Sequence, residues 1–233
     1  MLLADPFQVL NREIVACELC PRLRDYGREV ARVKRRAYLD WDYWGKPVPG
    51  FGDPHARVLL IGLAPGAHGS NRTGRMFTGD SSGDFLYRAL YETGFATQAE
   101  SRSRADGLEL EGAYIAAAGR CAPPDNKPSP KELAKCRPYL ERELDLLKDV
   151  RVVVALGGVA LRTYLGILRD RGAIKSLTAF PFGHNKVYRP AAGLPVLLAS
   201  YHPSQQNTST GKLTAAMLRE IFERARELSG CAG

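Results

Sequence analysis

Apolar positions along this chain fall into short dense runs separated by longer amphipathic stretches, the pattern of strands alternating with helices. The run Arg57–Leu63 (RVLLIGL) enters a loop rich in glycine and proline and predicts a buried strand. Ser82–Tyr91 places Phe85, Leu86, Ala89 and Leu90 at helical spacing, with Gly94 beyond as a stop. Ala113–Ala118 predicts a second strand. Ser129-Pro130-Lys131-Glu132 is a capping box with proline at the first helical position, opening a helix that runs to about Leu147, with a break expected near Pro138. Arg151–Leu156 (RVVVAL) predicts a third strand ended by Gly157-Gly158, followed by a helix over Val159–Leu165. Phe180–Tyr188 reads as a hairpin or a loop, and Pro195–Ser200 (PVLLAS) as a fourth strand. A terminal helix over Lys212–Leu228 carries Leu213, Met217, Ile221, Ala225 and Leu228 on one face.

The expected fold class is therefore α/β: a single three-layer α/β/α domain with a central, mostly parallel four-stranded sheet. A length of 233 residues fits one domain, or at most two small ones. We read one domain over 1–233, with an N-terminal arm over 1–56 and an α/β core over 57–229. Four aromatics (Tyr38, Trp41, Tyr43, Trp44) precede the Pro/Gly-rich stretch Gly45–Pro54, and core packing is their expected use.

Composition narrows the class. Apolar residues at 45% can build a core, and 25% charged residues exclude wholesale disorder. The longest near-apolar run, Val152–Leu161, is ten residues, against about 20 for a membrane span. Met1–Pro6 has no basic start followed by an apolar core, so no secretion signal is expected and the cytosol is the default compartment. The formal charge is +8, and 24 of the 33 basic side chains are arginine. That excess suits a polyanionic partner, because guanidinium binds phosphate in bidentate fashion, and it equally suits a codon bias or a heat-adapted surface. Five of the basic residues (Arg28, Arg32, Lys34, Arg35, Arg36) form either a solvated helix face or a phosphate-contacting patch.

Cysteines stand at 17, 20, 121, 136 and 231, an odd count that argues against a disulfide framework. Cys17 and Cys20 form a C-x2-C pair whose sulfurs share one local turn, and 14 residues separate Cys121 from Cys136. Four thiolates suit zinc or an iron–sulfur cluster, and the loose second pair favours a [4Fe–4S] cluster; buried reduced cysteines without metal are the alternative. Cys231 reads as a free tail thiol.

In open α/β sheets ligands bind beyond the carboxyl ends of the strands. Polar, Gly-rich and Pro-rich loops gather there: Gly62–Asp80 after the first strand, Gly119–Asn126 after the second, Gly157-Gly158 after the third and Tyr201–Gly211 after the fourth. Gly69–Gly74 nearly meets a phosphate-binding loop, but Arg75-Met76 replaces the Lys and Ser/Thr, so nucleotide hydrolysis is disfavoured. No G-x-G-x-x-G opens the first loop, which disfavours a dinucleotide fold.

Four segments resemble one known family: Gly62-Leu-Ala-Pro-Gly66, Thr73-Gly-Arg-Met-Phe-Thr-Gly-Asp80, Arg120-Cys-Ala-Pro-Pro124 and His202-Pro-Ser-Gln-Gln-Asn207. Together with the cysteines they look like the iron–sulfur uracil-DNA glycosylases, over nearly the whole chain from Cys17. Family 4 of that group has glutamate where this chain has Leu63, and an asparagine near Ala117. Cluster-free uracil glycosylases carry a catalytic aspartate near Ala64. These departures point to family 5, the B-type branch. The resemblance implies excision of uracil, and of hypoxanthine or other damaged or mispaired bases, from double-stranded DNA by a monomer acting at the nucleoid. It implies a structural [4Fe–4S] cluster held by Cys17, Cys20, Cys121 and Cys136.

Such chemistry needs a flipped nucleotide, a stacking surface, a contact to the base edge, a donor for the leaving base and support for water and the cationic sugar. Phe77 is the candidate stacking surface, or a core residue. Asn126 is read as contacting the base edge, or as an Asx turn. His202 is assigned to the departing carbonyl oxygen or a phosphate, and Asp80 to water and the sugar charge, or to a helix cap. Gly62 and Ala64 would line the base pocket, and His68 would approach the sugar. Arg72, Arg75, Ser204 and Lys212, with the Arg28–Arg36 patch, are read as phosphate contacts, and Gln205, Gln206 and Asn207 as a loop entering the duplex. Rival readings are an iron–sulfur electron carrier, a damaged-DNA-binding protein weak or inactive in catalysis, and a zinc-stabilised nucleic-acid binder.

Overall fold

A computed structural model describes residues 5–230; Cys231 lies outside them. Helices α1 (Pro6–Val15) and α2 (Pro21–Val33) precede the core. Then follow β1 (Phe51–Gly52), β2 (Val58–Gly62), α3 (Ser70–Thr73), α4 (Ser81–Glu92), β3 (Ala113–Ala117), α5 (Pro130–Leu146), β4 (Val152–Leu156), α6 (Gly158–Asp170), β5 (Lys186–Tyr188), β6 (Val196–Ser200), α7 (Gln205–Ser209) and α8 (Ala215–Ser229). No described helix is long and apolar enough to cross a membrane.

The sheet order is β1-β3-β2-β4-β6-β5. The four strands expected from the sequence are its parallel centre, β3-β2-β4-β6. The sheet itself has six strands, because β1 and β5 add antiparallel edges. Strands of two and three residues are too short to carry a readable period, which is why the pattern hides them.

Every residue of β2, β3 and β4 is buried, which explains continuous apolar runs where a one-sided sheet would alternate. The pleat still sorts them. Val58 and Leu60 face a layer containing Leu86 and Leu90 of α4 and Leu218, Ile221 and Phe222 of α8. Leu59 and Ile61 face Leu140 of α5 and Leu161, Tyr164 and Leu165 of α6. Each such side chain fully removed from water contributes about 1.5–3 kcal/mol, so the three layers follow from the alternation.

The Ser129 capping box forms as read: Ser129 Oγ accepts from the Glu132 N–H, and Glu132 Oε2 accepts from the Ser129 N–H at 2.7 Å. The expected break at Pro138 does not occur. Pro138 and Ala134, whose carbonyl loses its partner there, both face solvent, so water replaces the missing bond. Helix α6 runs on to Asp170, and α8 starts at Ala215, where the Thr214 side chain accepts from the Met217 N–H. In the arm, Phe7 of α1 packs against Tyr114, with ring centroids 5.6 Å apart, and Asn71 Nδ2 ties α3 to the Gly27 carbonyl of α2 at 3.2 Å.

Arg75 follows α3 and is 4% exposed. Its guanidinium donates to Asp106 at 2.8 and 2.7 Å, to Ser101 Oγ at 2.9 Å and to Thr78 Oγ1 at 2.9 Å. Asp106 in turn accepts the N–H groups of Arg102, Ser103 and Leu108. Arg75→Met strands that carboxylate without its buried partner. Chemical denaturation should show about 3–5 kcal/mol of lost stability; a loss below 1 kcal/mol would mean that the pair is dispensable.

Candidate active site

Strand β2 pairs with β3 on one side and β4 on the other, and the chain leaves β2 toward β3 but leaves β4 toward β6. The two connections diverge, so the sheet has its switch point between β2 and β4, where such folds open a crevice. Glycine ends both strands: Gly62 closes β2 and Gly157 follows β4.

Two side chains lie over those glycines. A Cβ on Gly62 would stand 2.9 Å from Phe77 Cε2, and one on Gly157 would stand 3.3 Å from His202 Cβ. Phe77 and His202 touch each other, with ring centroids 5.7 Å apart and planes tilted by 34°. Phe77 holds φ +50°, a costly backbone for a bulky residue. The ring nitrogens of His202 have no hydrogen-bond partner among the described residues. Burial pushes its imidazolium down to about 4, so the ring is neutral at physiological pH. Asn207 Nδ2 donates to the His202 carbonyl at 2.8 Å and fixes the backbone beneath it.

Asp80 caps α4: its Oδ1 accepts from the Gly83 N–H at 3.0 Å. Its Oδ2 lies against the backbone of the preceding loop, where a Cβ on Gly66 would stand 2.8 Å away and one on Gly69 would overlap it. At Gly69 the Asp80 carboxylate occupies the space that a side chain would need. Burial raises the Asp80 carboxyl above its ordinary range, and the Asp84 carboxylate adds to this. The N–H groups of Gly83 and Ser82 and the Arg72 cation act the other way.

The remaining expected site residues divide. Ala64 sits beside Gly119, whose Cβ would stand 3.3 Å from the Ala64 methyl, on the β3 side of the crevice. Asn126 is exposed at φ +56°, next to Asp125 at φ +55°, and its side-chain amide makes no hydrogen bond among the described residues. Lys212 is exposed, with its ammonium 4.9 Å from the Tyr201 ring centroid. Ser204 stands at the N-cap position of α7 without a side-chain capping bond, and Gln205 and Gln206 are exposed. The segment expected as a loop is a short helix, because the hydroxyls of Thr208, Ser209 and Thr210 fold back onto carbonyls one turn earlier. Asn207 spends one amide N–H on the His202 carbonyl, which leaves its second N–H and its Oδ1.

Two phosphate assignments are corrected. Arg75 is consumed by Asp106. Arg72 is 3% exposed and binds the carbonyls of His68 and Gly79 at 2.7 and 2.6 Å. Neither guanidinium reaches the surface. In the basic patch, Arg28 pairs with Glu18, Arg32 with Glu29, and Lys34 donates to the Leu39 carbonyl; the Arg35 and Arg36 side chains are the uncommitted pair.

Sequence reasoning missed the neighbours of His202. His184 stacks on Tyr201 with centroids 5.0 Å apart, accepts from the Tyr201 N–H at 3.2 Å, and leaves Nε2 buried without a partner. Exposed Phe182 lies 6.0 Å from Tyr201 on its other flank. An aromatic beside histidine in a short Phe-Gly-His-Asn stretch was the only available signal. His68 does not stand free, since its Nδ1 bonds the Tyr43 hydroxyl at 3.1 Å.

Cys17, Cys20, Cys121 and Cys136 line one small hollow, walled by Leu19, Leu23, Pro47 and Leu133. Burial pushes the Cys121 thiol up to about 12 and Cys136 up to about 11, with the other sulfurs adding to the shift. The Arg120 cation and its N–H, 3.2 Å from Cys136 Sγ, oppose it. Among the described residues no three His, Cys, Asp or Glu side chains converge on a single-ion position. Four sulfurs around a desolvated hollow suit a bound cationic centre wider than one ion.

Residues 49–226 match the family described as the uracil DNA glycosylase superfamily. The chain is 54% identical to the type-5 uracil-DNA glycosylase of Thermus thermophilus over 93% of this chain and 95% of that one. It is 47% identical to the type-5 uracil-DNA glycosylase of Pyrobaculum aerophilum, over 95% and 92%. Against the type-4 uracil-DNA glycosylase of the same organism identity falls to 30%, over 84% and 82%.

Two titrations check the pocket. The His202 ring should stay neutral in an NMR titration down to about pH 4, and a midpoint near 6.5 would show a solvated ring. Gly69→Ala should expel the Asp80 carboxylate toward water, return its pKa toward the ordinary 3.8 and cost about 1 kcal/mol through the weakened cap. An unmoved Asp80 titration would rule out the steric contact.

Proposed function

The chain belongs to the uracil DNA glycosylase superfamily, and within it to the type-5 uracil-DNA glycosylases, and on that premise we propose how its crevice works: it takes a uracil nucleotide flipped from duplex DNA and hydrolyses the bond between base and deoxyribose. The observation that carries this reading is the Phe77–His202 contact across the switch point, with the Asp80 carboxylate on the adjoining loop.

In this reading the base stacks on Phe77. As the C1′–N bond breaks, its electron pair goes to the base and the sugar becomes cationic. Neutral His202 donates a hydrogen bond to the base oxygen as negative charge develops. A ring that ionises only near pH 4 stabilises the anion by hydrogen bonding and does not transfer a proton. Ionised Asp80 orients the water that attacks C1′ and offsets the sugar charge. Asn126, with its free amide, contacts the base edge when the loop after β3 meets the nucleotide. Lys212, Arg35 and Arg36, none of them in an ion pair among the described residues, hold phosphates, and Gln205 and Gln206 of α7 face the vacated stack.

We also propose hypoxanthine and other damaged bases as substrates. Leu63 and Ala64 bring no carboxylate to the wall beside Gly119, so base choice there rests on shape more than on a fixed polar contact. Cys17, Cys20, Cys121 and Cys136 hold a [4Fe–4S] cluster that ties the arm to the β3 loop and α5. The group supplies cross-linking and no step of the hydrolysis.

Single-turnover excision from a uracil-containing duplex, read as alkali-cleavable abasic sites, tests the chemistry. His202→Asn and Asp80→Asn should each slow the chemical step by about 10²–10³-fold with DNA affinity retained. A wild-type rate in either variant removes that residue from the mechanism. A panel of hypoxanthine and mismatched-thymine duplexes reads substrate breadth, and excision confined to uracil would refute the broader proposal. The purified protein should be brown, and Cys136→Ser should bleach it and lower its melting temperature; a colourless wild-type protein that binds zinc would refute the cluster.

A further inference from the structure

Arg72 is buried with its guanidinium in the corner of two edge-packed rings of the N-terminal arm, 3.9 Å from the Tyr38 centroid and 4.1 Å from the Trp41 centroid, the ring planes being 81° apart. Its Nε donates to the His68 carbonyl at 2.7 Å and its Nη2 to the Gly79 carbonyl at 2.6 Å. Those carbonyls bracket the loop segment that Asp80 ends. Nη1 is buried and has no partner among the described residues. The cation is thus cornered by the arm and held in register by the loop.

We propose that Arg72 is a positioning residue for Asp80: clasped by Tyr38 and Trp41, it pins the loop that delivers the carboxylate and sets a fixed positive charge beside it. This rests on the reading of Asp80 as the group that orients the attacking water. The charged and polar groups facing Asp80 are few. From α4 come the Asp84 carboxylate and the N–H groups of Ser82 and Gly83, from α3 comes Arg72, and Gly66 and Gly69 contribute uncharged backbone. Arg72 is the one side-chain cation in that set, and it opposes the burial that drives the carboxyl toward its neutral form. Lysine does not reproduce this. Its ammonium lacks the planar fork that reaches two carbonyls while lying against two rings.

The test is the pH profile of single-turnover uracil excision in Arg72→Gln, Arg72→Lys, Trp41→Leu and Asp80→Asn. Arg72→Gln removes the charge, so Asp80 needs a higher pH to ionise. The acidic limb should move to higher pH, and the plateau should fall about tenfold. Arg72→Lys should restore the limb but not the plateau. Trp41→Leu, at a half-buried ring, should lower the plateau several-fold with DNA affinity unchanged. The salt dependence of DNA binding should be the same in all, whereas loss of a phosphate contact would reduce its slope by about one.

A wild-type limb and plateau in Arg72→Gln overturn the proposal, and so does a reduced salt slope. A wild-type rate in Asp80→Asn sinks the reading of Asp80, and the proposal with it. An inactive Asp80→Asn beside an unshifted Arg72→Gln sinks the Arg72 inference alone. If Arg72→Gln does not fold, Trp41→Leu decides, since an unchanged plateau there shows that the clasp does not act on the site.

Discussion

The site depends on one backbone juxtaposition, the parallel pairing of β2 with β4. That pairing sets Gly62 and Gly157 at neighbouring strand ends while their loops leave in opposite directions. With no Cβ at either glycine, Phe77 and His202 can lie directly on the backbone and meet each other. A methyl at Gly62 would displace the Phe77 ring, and a side chain at Gly157 would also be strained at φ +96°. The loops therefore vary in composition around a fixed floor, and the floor decides where a ligand fits.

Loops this irregular have few ladder partners for their carbonyls, and buried carbonyls need donors. Arginine supplies them. Arg24 donates to the Gly45 carbonyl, Arg72 to those of His68 and Gly79, and Arg75 braces the loop through Thr78, Ser101 and Asp106. Four arginines (Arg24, Arg72, Arg75, Arg120) are at most 4% exposed. Part of the basic excess is thus internal scaffolding. A net charge of +8 counts these cations equally with Lys212 or Arg36, although only the latter can meet a phosphate.

This division marks how far the sequence can be read. Strand runs that are apolar on both faces, the Ser129 capping box and the strand-end glycines were legible because each follows from local chemistry. The four cysteines were legible as one set, and they share one hollow. Strand order was not, since nothing local says that β4 pairs with β2. Nor was the fate of Arg72 and Arg75. A Gly-Ser-Asn-Arg-Thr-Gly-Arg stretch looks like an exposed anion loop until Tyr38, Trp41 and Asp106, distant in sequence, are seen to close over it. Pro138 misled for the opposite reason: its cost is real, but the orphaned carbonyl faces water.

The pocket's electrostatics come from burial acting on groups of opposite type. Desolvation suppresses the charge of His202 and resists the charge of Asp80. The histidine has no partner and stays neutral. The aspartate has two backbone N–H groups and Arg72 to sustain its charge, opposed by Asp84. The side of the crevice under His202 therefore offers a neutral donor, suited to a departing anionic base that a fixed cation would bind as tightly after the reaction as during it. The β2 loop offers a carboxylate that burial raises and that the N–H groups and Arg72 draw back toward its charged form, and the proposed mechanism sets it where the sugar turns positive. Without an acid on the β2 loop at Leu63 or Ala64, the proposed mechanism relies on that difference in charge, and it requires that the neutral ring and the carboxylate flank the scissile bond.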